Sequence, residues 1–242
     1  MIRRLHQAIV LLLAWALAAC GGGTSAADAP PPAAAAVPAG DWVVLGTSTA
    51  AGVGAPPGKG WVALLSEDMA GLGVKVKNAA RAGTLTYHWL PAATVRPATR
   101  PATIDALDVH KVLPAAPSLV LLSFPSNDAM AGFDAGEVVD NLLRLRRIAL
   151  DRGAVVYVTS SQPRDDADAA QRATMQDVDS ALASQLLGCF VDVRSALAGA
   201  DGGIAPALAA GDGVHLNAEG HRRLFEQVRA AIVSGRCAAP QR

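Results

Sequence analysis

The sequence predicts an α/β fold, a three-layer α/β/α sandwich with a five-stranded parallel sheet between two layers of helices. Short apolar runs, several of them continuously apolar, alternate along the chain with longer amphipathic stretches. Parallel strands covered on both faces require apolar runs of this kind, and each needs a helical crossover to reach the next. A chain of 242 residues, less a leader and a tether, suits one such domain.

Each predicted element is an apolar or amphipathic stretch bounded by turn residues. The predicted strands are residues 42–45, 74–78, 118–124, 154–160 and 189–193. The predicted helices are residues 60–70, 104–113, 136–152, 167–187 and 218–234. Residues 87–103 are rich in Pro and Ala and lack periodicity, so we interpret them as a loop over the site.

The N-terminus, residues 1–19, has the pattern of a signal peptide. Two arginines precede an apolar run that is shorter than the roughly 20 residues of a membrane-spanning helix. Residues 17–20, Leu-Ala-Ala-Cys, resemble the lipobox of bacterial lipoproteins, which implies lipidation of Cys20. Ordinary cleavage beside an incidental cysteine is the alternative. The expectation is a lipid-anchored protein of the bacterial cell envelope, on the periplasmic side of the outer membrane.

Residues 20–40 are predicted to be a tether between the anchor and the domain. They consist almost entirely of Gly, Ala, Ser and Pro, with Asp28 as the one charged residue. Such a composition cannot bury enough apolar surface to fold. The folded domain is therefore expected to span residues 41–236.

Composition and charge exclude some classes of function. Apolar residues make up 51% of the chain, which favours a globular domain. Lys+Arg and Asp+Glu both number 21, and removal of the leader with its two arginines makes the balance slightly acidic. The aromatic residues are few and scattered, so we expect no nucleic-acid partner.

Cysteine usage agrees with an oxidising compartment. If Cys20 is lipidated, Cys189 and Cys237 remain as an even pair. A disulfide between them is plausible in an exported protein. The alternative is two unpaired thiols, with Cys189 buried in a strand.

Ser48 is the candidate nucleophile. It lies between Gly46 and Gly52, just after a predicted strand and just before a helix, which is a position where a hydroxyl can be exposed. Taken alone, the pattern fits a serine that caps a helix or forms a turn better than it fits a catalytic serine.

Asp212 and His215 are the candidate partners of such a nucleophile. A carboxylate three residues before an imidazole can accept a hydrogen bond from the ring within one tight turn. The histidine would then remove the serine proton, and the aspartate would fix the tautomer and stabilise the imidazolium. A capping Asp and a surface His could produce the same spacing by chance.

Four blocks in order resemble the SGNH hydrolase (GDSL-like lipase/esterase) family. They are residues 46–52, 78–83, 126–128 and 212–215, and the resemblance runs from about Trp42 to about Val233. It implies a flavodoxin-like fold and a carboxylic ester hydrolase. The implied oxyanion hole consists of the backbone N–H groups of Ser48 and Gly83 and the side-chain amide of Asn127.

Two residues depart from the family pattern. Thr47 stands where the family usually has Asp beside its serine, a place whose role looks structural. Pro125 stands where the asparagine block usually begins with glycine. Proline fixes φ and lacks an N–H, so this departure bears directly on the backbone around Asn127.

Other motifs do not support nucleotide or metal chemistry. The glycine-rich residues 52–60 fail both the dinucleotide and the Walker spacing. His88, His110 and His221 lack the sequence patterns of metal sites and are expected to be surface or core histidines. We expect neither a metal nor an organic cofactor.

The predicted function is hydrolysis of acyl esters, with Ser48 forming the acyl-enzyme. The family resemblance allows short-chain or acetyl esters, lysophospholipids, thioesters and O-acylated glycans as substrates, and we expect a monomer. The alternative is a catalytically weak lipoprotein that binds a glycan or lipid in the same pocket. Trp61, Trp89 and Phe133 either line that pocket or pack in the core.

Overall fold

The computed structural model describes residues 37–237. The predicted signal peptide, Cys20 and most of the predicted tether lie outside the described residues. The last residues assigned to the tether belong to the fold instead, because the first strand already begins at Gly40. Val37 packs against the core, and the indole N–H of Trp42 donates to the carbonyl oxygen of Pro38 at 2.7 Å.

The described residues form one parallel sheet of five strands in the order β2-β1-β3-β4-β5. This confirms the predicted fold class, and the order is that of flavodoxin-like domains. Strand β2 is added on one side of β1, and β3 and the later strands are added on the other, so the carboxyl ends of β1 and β3 flank the crevice where such sheets bind ligands. The strands are β1 (Gly40–Gly46), β2 (Val74–Asn78), β3 (Leu119–Ser123), β4 (Val155–Thr159) and β5 (Phe190–Val191).

Helices of very different lengths follow the strands. Within residues 37–237 they are α1 (Ser48–Ala51), α2 (Trp61–Met69), α3 (Val109–Val112), α4 (Pro125–Met130), α5 (Ala135–Asp151), α6 (Ala169–Leu186), α7 (Arg194–Leu197) and α8 (Ala218–Val233). Short 3₁₀ helices cover Ala70–Leu72, Thr86–Trp89, Asp105–Leu107, Leu187–Cys189 and Pro206–Leu208.

Two apolar cores lie on opposite faces of the sheet. Alternate residues of a strand point to opposite faces, so Val43 and Leu45 of β1 enter one core, while Trp42 and Val44 enter the other. The first core is closed by α5 and α6, and the second by α2 and α8. The central strands are therefore covered on both sides, which explains their continuous apolar runs.

Two predicted elements differ from the observed ones. The helix predicted at residues 104–113 is split, because Asp108 accepts from the backbone N–H of His110 as an N-cap and from that of Ala92. Strand β5 is shorter than predicted because the backbone N–H groups of Val193 and Arg194 donate to the side chain of Ser160. In both places a polar side chain captures backbone groups that a regular element would use.

A disulfide joins Cys189 to Cys237, with a sequence separation of 48 residues. It links the segment before β5 to the end of the described chain, after α8. Cys237 is buried, so the ordered fold extends one residue beyond the predicted end of the domain.

No helix within the described range is both long enough and apolar enough to cross a membrane.

Candidate active site

Ser48 lies at the carboxyl end of β1, as the first residue of α1. The turn between β1 and α1 depends on Gly46, because a Cβ at that position would lie 2.7 Å from the Cβ of Ala50 and 2.8 Å from the carbonyl oxygen of Ser123. The backbone N–H of Thr47 donates to that same carbonyl at 3.3 Å. The nucleophile candidate is thus held against the end of β3 and is half-buried.

Ser48, His215 and Asp212 form one hydrogen-bonded chain. The Nε2 atom of His215 lies 2.9 Å from the Oγ of Ser48, although 167 positions separate them in sequence. The Nδ1 atom of His215 lies 2.6 Å from Oδ2 of Asp212. The three residues have the connectivity of a Ser-His-Asp triad.

The loop that carries Asp212 also stabilises the ionised form of its carboxylate. Its Oδ1 atom accepts from the backbone N–H groups of Val214 at 3.0 Å and His215 at 2.8 Å. The His215 ring first, and then these N–H groups, hold the pKa of Asp212 well below its usual range. Although exposed, this carboxylate is therefore ionised beside the imidazole at neutral pH.

A second histidine, His221, connects two backbone segments next to the candidate site. His221 is fully buried in α8; its Nδ1 accepts from the backbone N–H of Trp61 at 3.2 Å, and its Nε2 donates to the carbonyl of Val53 at 3.0 Å. Burial lowers the pKa of His221, so the ring is neutral and its two hydrogen bonds fix the tautomer. The ring ties the loop after Ser48 to the start of α2.

Asn127 lies in the first turn of α4, which follows β3. Its Nδ2 donates to the carbonyl oxygen of Thr84 at 3.1 Å, which brings the asparagine block beside Gly83. Gly83 is exposed and has φ +74°, a conformation that favours glycine. Helix α4 begins at Pro125, a position where a helix needs no N–H. The turn that carries Asn127 is therefore regular.

Asp128 joins α4 to the segment after Gly83. Its carboxyl group is fully buried and accepts the Thr86 backbone N–H at 3.1 and 3.2 Å and the Thr86 hydroxyl at 2.5 Å. Asn141 of α5 donates in turn to the Thr86 hydroxyl oxygen at 3.0 Å. Burial raises the pKa of Asp128 to about 7, and the bonds from Thr86 oppose that shift.

The segment after β4 contributes contacts that sequence reasoning missed. The side-chain amide of Gln162 donates to the carbonyl of Val214 at 2.6 Å, and Nη1 of Arg164 donates to Oδ1 of Asn127 at 3.1 Å. Both residues follow the carboxyl end of a central strand, where active-site groups collect in such sheets. That position is the signal that could have identified them.

Several residues considered as pocket or loop candidates lie elsewhere. Trp61 and Trp89 are fully buried and Phe133 nearly so, and all three pack in the apolar cores. The segment interpreted as a loop over the site is held by Arg100, which binds both carboxylate oxygens of Glu137 at 2.7 and 2.6 Å. Glu137, which holds Arg100, belongs to α5.

The three other histidines of the described residues, His88, His110 and His221, have separate environments. Nδ1 of His88 accepts from the backbone N–H of Leu85 at 2.9 Å, and partial burial lowers its pKa. His110 belongs to α3, where its carbonyl accepts from Arg152, and His221 is the buried support described above. These contacts account for the side chains of His88 and His221 as parts of local structure.

Comparison with known proteins identifies relatives of this arrangement. Residues 44–223 match the sequence profile of the GDSL-like Lipase/Acylhydrolase family. No curated protein sequence matches the chain significantly.

Solved structures with the same fold cover most of the chain. TesA is 22% identical, with 80% of this chain and 98% of that chain covered and a TM-score of 0.61. A lipolytic G-D-S-L family protein from Veillonella parvula is 19% identical, covering 78% and 96%, with a TM-score of 0.63. The psychrotrophic esterase EstA from Pseudoalteromonas sp. is 18% identical, covering 79% and 96%, with a TM-score of 0.55. At these identities the likeness concerns the fold.

Proposed function

The chain belongs to the GDSL-like lipase/acylhydrolase family, and on that premise we propose that it is a serine esterase that hydrolyses acyl esters through a Ser48 acyl-enzyme. The observation that carries the proposal is the hydrogen-bonded chain from Asp212 through His215 to Ser48. Three chemically matched groups from opposite ends of the sequence meet in the order that nucleophilic catalysis requires.

In the proposed acylation step, Nε2 of His215 removes the proton of Ser48 as Oγ attacks the ester carbonyl carbon. The carbonyl π electrons move to oxygen, which forms a tetrahedral oxyanion, and Asp212 stabilises the imidazolium. Collapse of the oxyanion expels the alcohol, which takes the proton from Nε2. Water then repeats the sequence on the acyl-enzyme, releases the acid and restores Ser48.

The proposed oxyanion hole uses three donors around the ester carbonyl. The backbone N–H of Ser48 lies in the first turn of a helix, where such groups have no intrahelical acceptor. The Gly83 N–H and the Asn127 amide come from neighbouring segments joined by the bond to Thr84. Removing one donor of this kind costs about 3 kcal/mol of transition-state stabilisation. The protein groups suffice for the chemistry, and the mechanism uses neither a metal nor an organic cofactor.

For the substrate we favour short-chain or acetyl esters, including those on O-acylated glycans, with lysophospholipids as a further candidate. The triad supports this choice because Asp212 is exposed and Ser48 is half-buried, so a bulky alcohol group can remain in solvent. The three large aromatic residues that would suit an acyl groove, Trp61, Trp89 and Phe133, are in the core instead. A small acyl group needs no such groove.

The proposed location is the bacterial cell envelope, with a monomer anchored by lipids on Cys20 to the periplasmic side of the outer membrane. The apolar leader and the lipobox-like residues 17–20 support it. The disulfide between Cys189 and Cys237 adds independent support, because such bonds persist in oxidising compartments. Cys20→Ala should abolish incorporation of labelled palmitate and move the protein to the soluble envelope fraction; unchanged incorporation would contradict the anchor.

The decisive experiment uses the full chain, purified in detergent, with a nitrophenyl ester series of increasing acyl length and a fluorophosphonate label. Ser48→Ala should lose both turnover and label. Ser180→Ala is the matched control, since that exposed serine on α6 only bonds the carbonyl of Gln176. A wild-type protein that neither labels nor turns over would favour a lipoprotein that binds a glycan or lipid in this pocket.

A further inference from the structure

Arg164 places a nearly buried cation beside the oxyanion-hole candidate Asn127. Its side chain is 9% exposed, although arginine is rarely buried without partners. Nε and Nη2 hold the two carboxylate oxygens of Asp166 at 2.8 and 2.7 Å. The remaining arm of the guanidinium, Nη1, donates to Oδ1 of Asn127 at 3.1 Å.

These contacts determine which way the Asn127 amide faces. A guanidinium can only donate, so the atom of Asn127 next to Arg164 must be the oxygen. The carbonyl of Thr84 can only accept, so the atom next to it must be Nδ2. If the amide were rotated by half a turn, Nδ2 of Asn127 would face the N–H of Arg164 and Oδ1 would face the carbonyl of Thr84. Neither hydrogen bond could then form. Because an amide nitrogen carries two hydrogens and Thr84 uses one, the other is available to a substrate oxygen.

The arrangement also polarises the amide. Asp166 binds the far side of the guanidinium, so the pair presents the positive end of its dipole to Oδ1 of Asn127. A charged donor on the carbonyl oxygen of an amide draws electron density from its nitrogen, and its N–H becomes a stronger donor. The Arg164 side chain is largely shielded from solvent, so this effect is screened less than it would be at an exposed site.

The same segment also holds the loop of the triad. The backbone N–H groups of Asp165 and Asp166 donate to the carbonyl of Gly213 at 2.9 and 3.4 Å. Gly213 lies between Asp212 and His215 in sequence. Arg164 therefore belongs to a short segment that contacts both the oxyanion-hole candidate and the acid-base loop.

We propose that Arg164 is a positioning residue, which acts through Asn127 by fixing the orientation of its amide and strengthening the N–H that it donates to the oxyanion. This inference rests on the proposed function. It assigns to the segment after β4 a role in transition-state stabilisation that is exerted through Asn127, whereas an ion pair of purely structural importance would have none.

The test is a double-mutant cycle in the full chain, with kcat and KM measured on nitrophenyl acetate and the rate of fluorophosphonate labelling as a second readout. Asn127→Ala should lower kcat about 100- to 1,000-fold. Arg164→Met should lower kcat about 10-fold with little change in KM, a smaller loss because Thr84 still favours the correct amide orientation. In the Asn127→Ala background, Arg164→Met should change kcat by less than about 2-fold.

Arg194→Met is the matched control, because Arg194 forms an equally short ion pair with Asp179, also largely buried, and does not bond Asn127. It should lower thermal stability with kcat nearly unchanged. If Arg164→Met does not fold, Arg164→Gln takes its place in the cycle, since a glutamine amide can donate or accept and no longer selects one orientation.

The outcomes separate this inference from the proposed function. An active wild type in which the effects of Arg164→Met and Asn127→Ala on kcat multiply would overturn the role of Arg164 alone. The same holds if Arg164→Met leaves kcat unchanged while Asn127→Ala lowers it. A wild type without Ser48-dependent turnover would overturn the esterase proposal and this inference with it.

Discussion

Gly54 approaches the loop that carries His215 so closely that a Cβ atom at position 54 would lie 2.9 Å from the Cβ of His215 and 2.2 Å from the carbonyl oxygen of Leu216. The loop after α1 and the loop before α8 thus touch through bare backbone. The position of His215 relative to Ser48 depends on this contact, because nothing larger than hydrogen fits between the loops.

The first prediction concerns Gly54→Ala. The new methyl group should push His215 away from Ser48, lower kcat at least about 10-fold and destabilise the fold by about 1–3 kcal/mol. Gly58→Ala is the matched control, because Gly58 also has a positive φ of 76° but has open space where the Cβ would go. Kinetics and thermal unfolding of both variants check this. Equal kcat values in the two variants would contradict it.

The second prediction concerns Asp212→Asn. An amide cannot stabilise the imidazolium and favours the wrong tautomer of His215, so kcat should fall about 1,000- to 10,000-fold. Asp151→Asn removes a carboxylate from an exposed ion pair with Arg147 on α5 and should leave kcat unchanged. Steady-state kinetics with fluorophosphonate labelling rates decide the matter. A loss below about 10-fold would show that Asp212 is not the triad acid.

The third prediction follows from the raised pKa of Asp128. Its folded pKa of about 7 exceeds the model-peptide value of 3.8, so between these pH values the folded state holds a proton that the unfolded state has lost. This contribution to stability is present at low pH and is lost as pH rises through about 7. The free energy of unfolding should therefore gain a pH dependence of up to about 1.4 kcal/mol per pH unit from this carboxyl.

Denaturant titrations at several pH values between about 4 and 8, on the wild type and on Asp128→Asn, measure that dependence. The difference between the two proteins removes the contribution of all other groups. The Asn variant should lose stability less steeply as pH rises. Parallel curves would mean that Asp128 has the same pKa in the folded and unfolded states.

The fourth prediction concerns the bond between Cys189 and Cys237. It closes a loop of 48 residues, and its removal in Cys189→Ser/Cys237→Ser should lower the free energy of unfolding by about 2–4 kcal/mol. The candidate active site lies at the carboxyl ends of the strands and does not include this bond. The variant should therefore retain its kcat at low temperature. Thermal unfolding with and without reductant tests it. A wild-type melting temperature insensitive to reductant would contradict the prediction.

Much of the fold was predictable from local patterns. Each predicted strand is present. Central strands such as β3 are continuously apolar because both of their faces are buried, and that requirement is visible in sequence, whereas the edge strand β2 alternates Val and Lys. The failures share a cause. At Asp108 and Ser160 a polar side chain takes over backbone hydrogen bonds, and which backbone group it reaches depends on segments distant in sequence.

The candidate site divides in the same way. The motifs predicted Ser48, Asp212 and His215, and the family resemblance added Gly83 and Asn127. The structure brings Ser48, His215 and Asp212 into one hydrogen-bonded chain. Arg164 and Gln162 were not identified, because their partners, Asn127 and Val214, lie 37 and 52 positions away. The hydrophobic periodicity of a sequence does not indicate which distant residues are in contact.

The sequence by itself determined the layers of the fold and the chemical groups of the site, because burial and chemistry both act through residue type at short range. Only the tertiary structure decided how those groups meet. The 2.9 Å contact between Ser48 and His215, the orientation of the Asn127 amide and the close approach at Gly54 arise from packing between distant segments. Such contacts depend on the shape of the whole folded chain, which no short stretch of sequence contains.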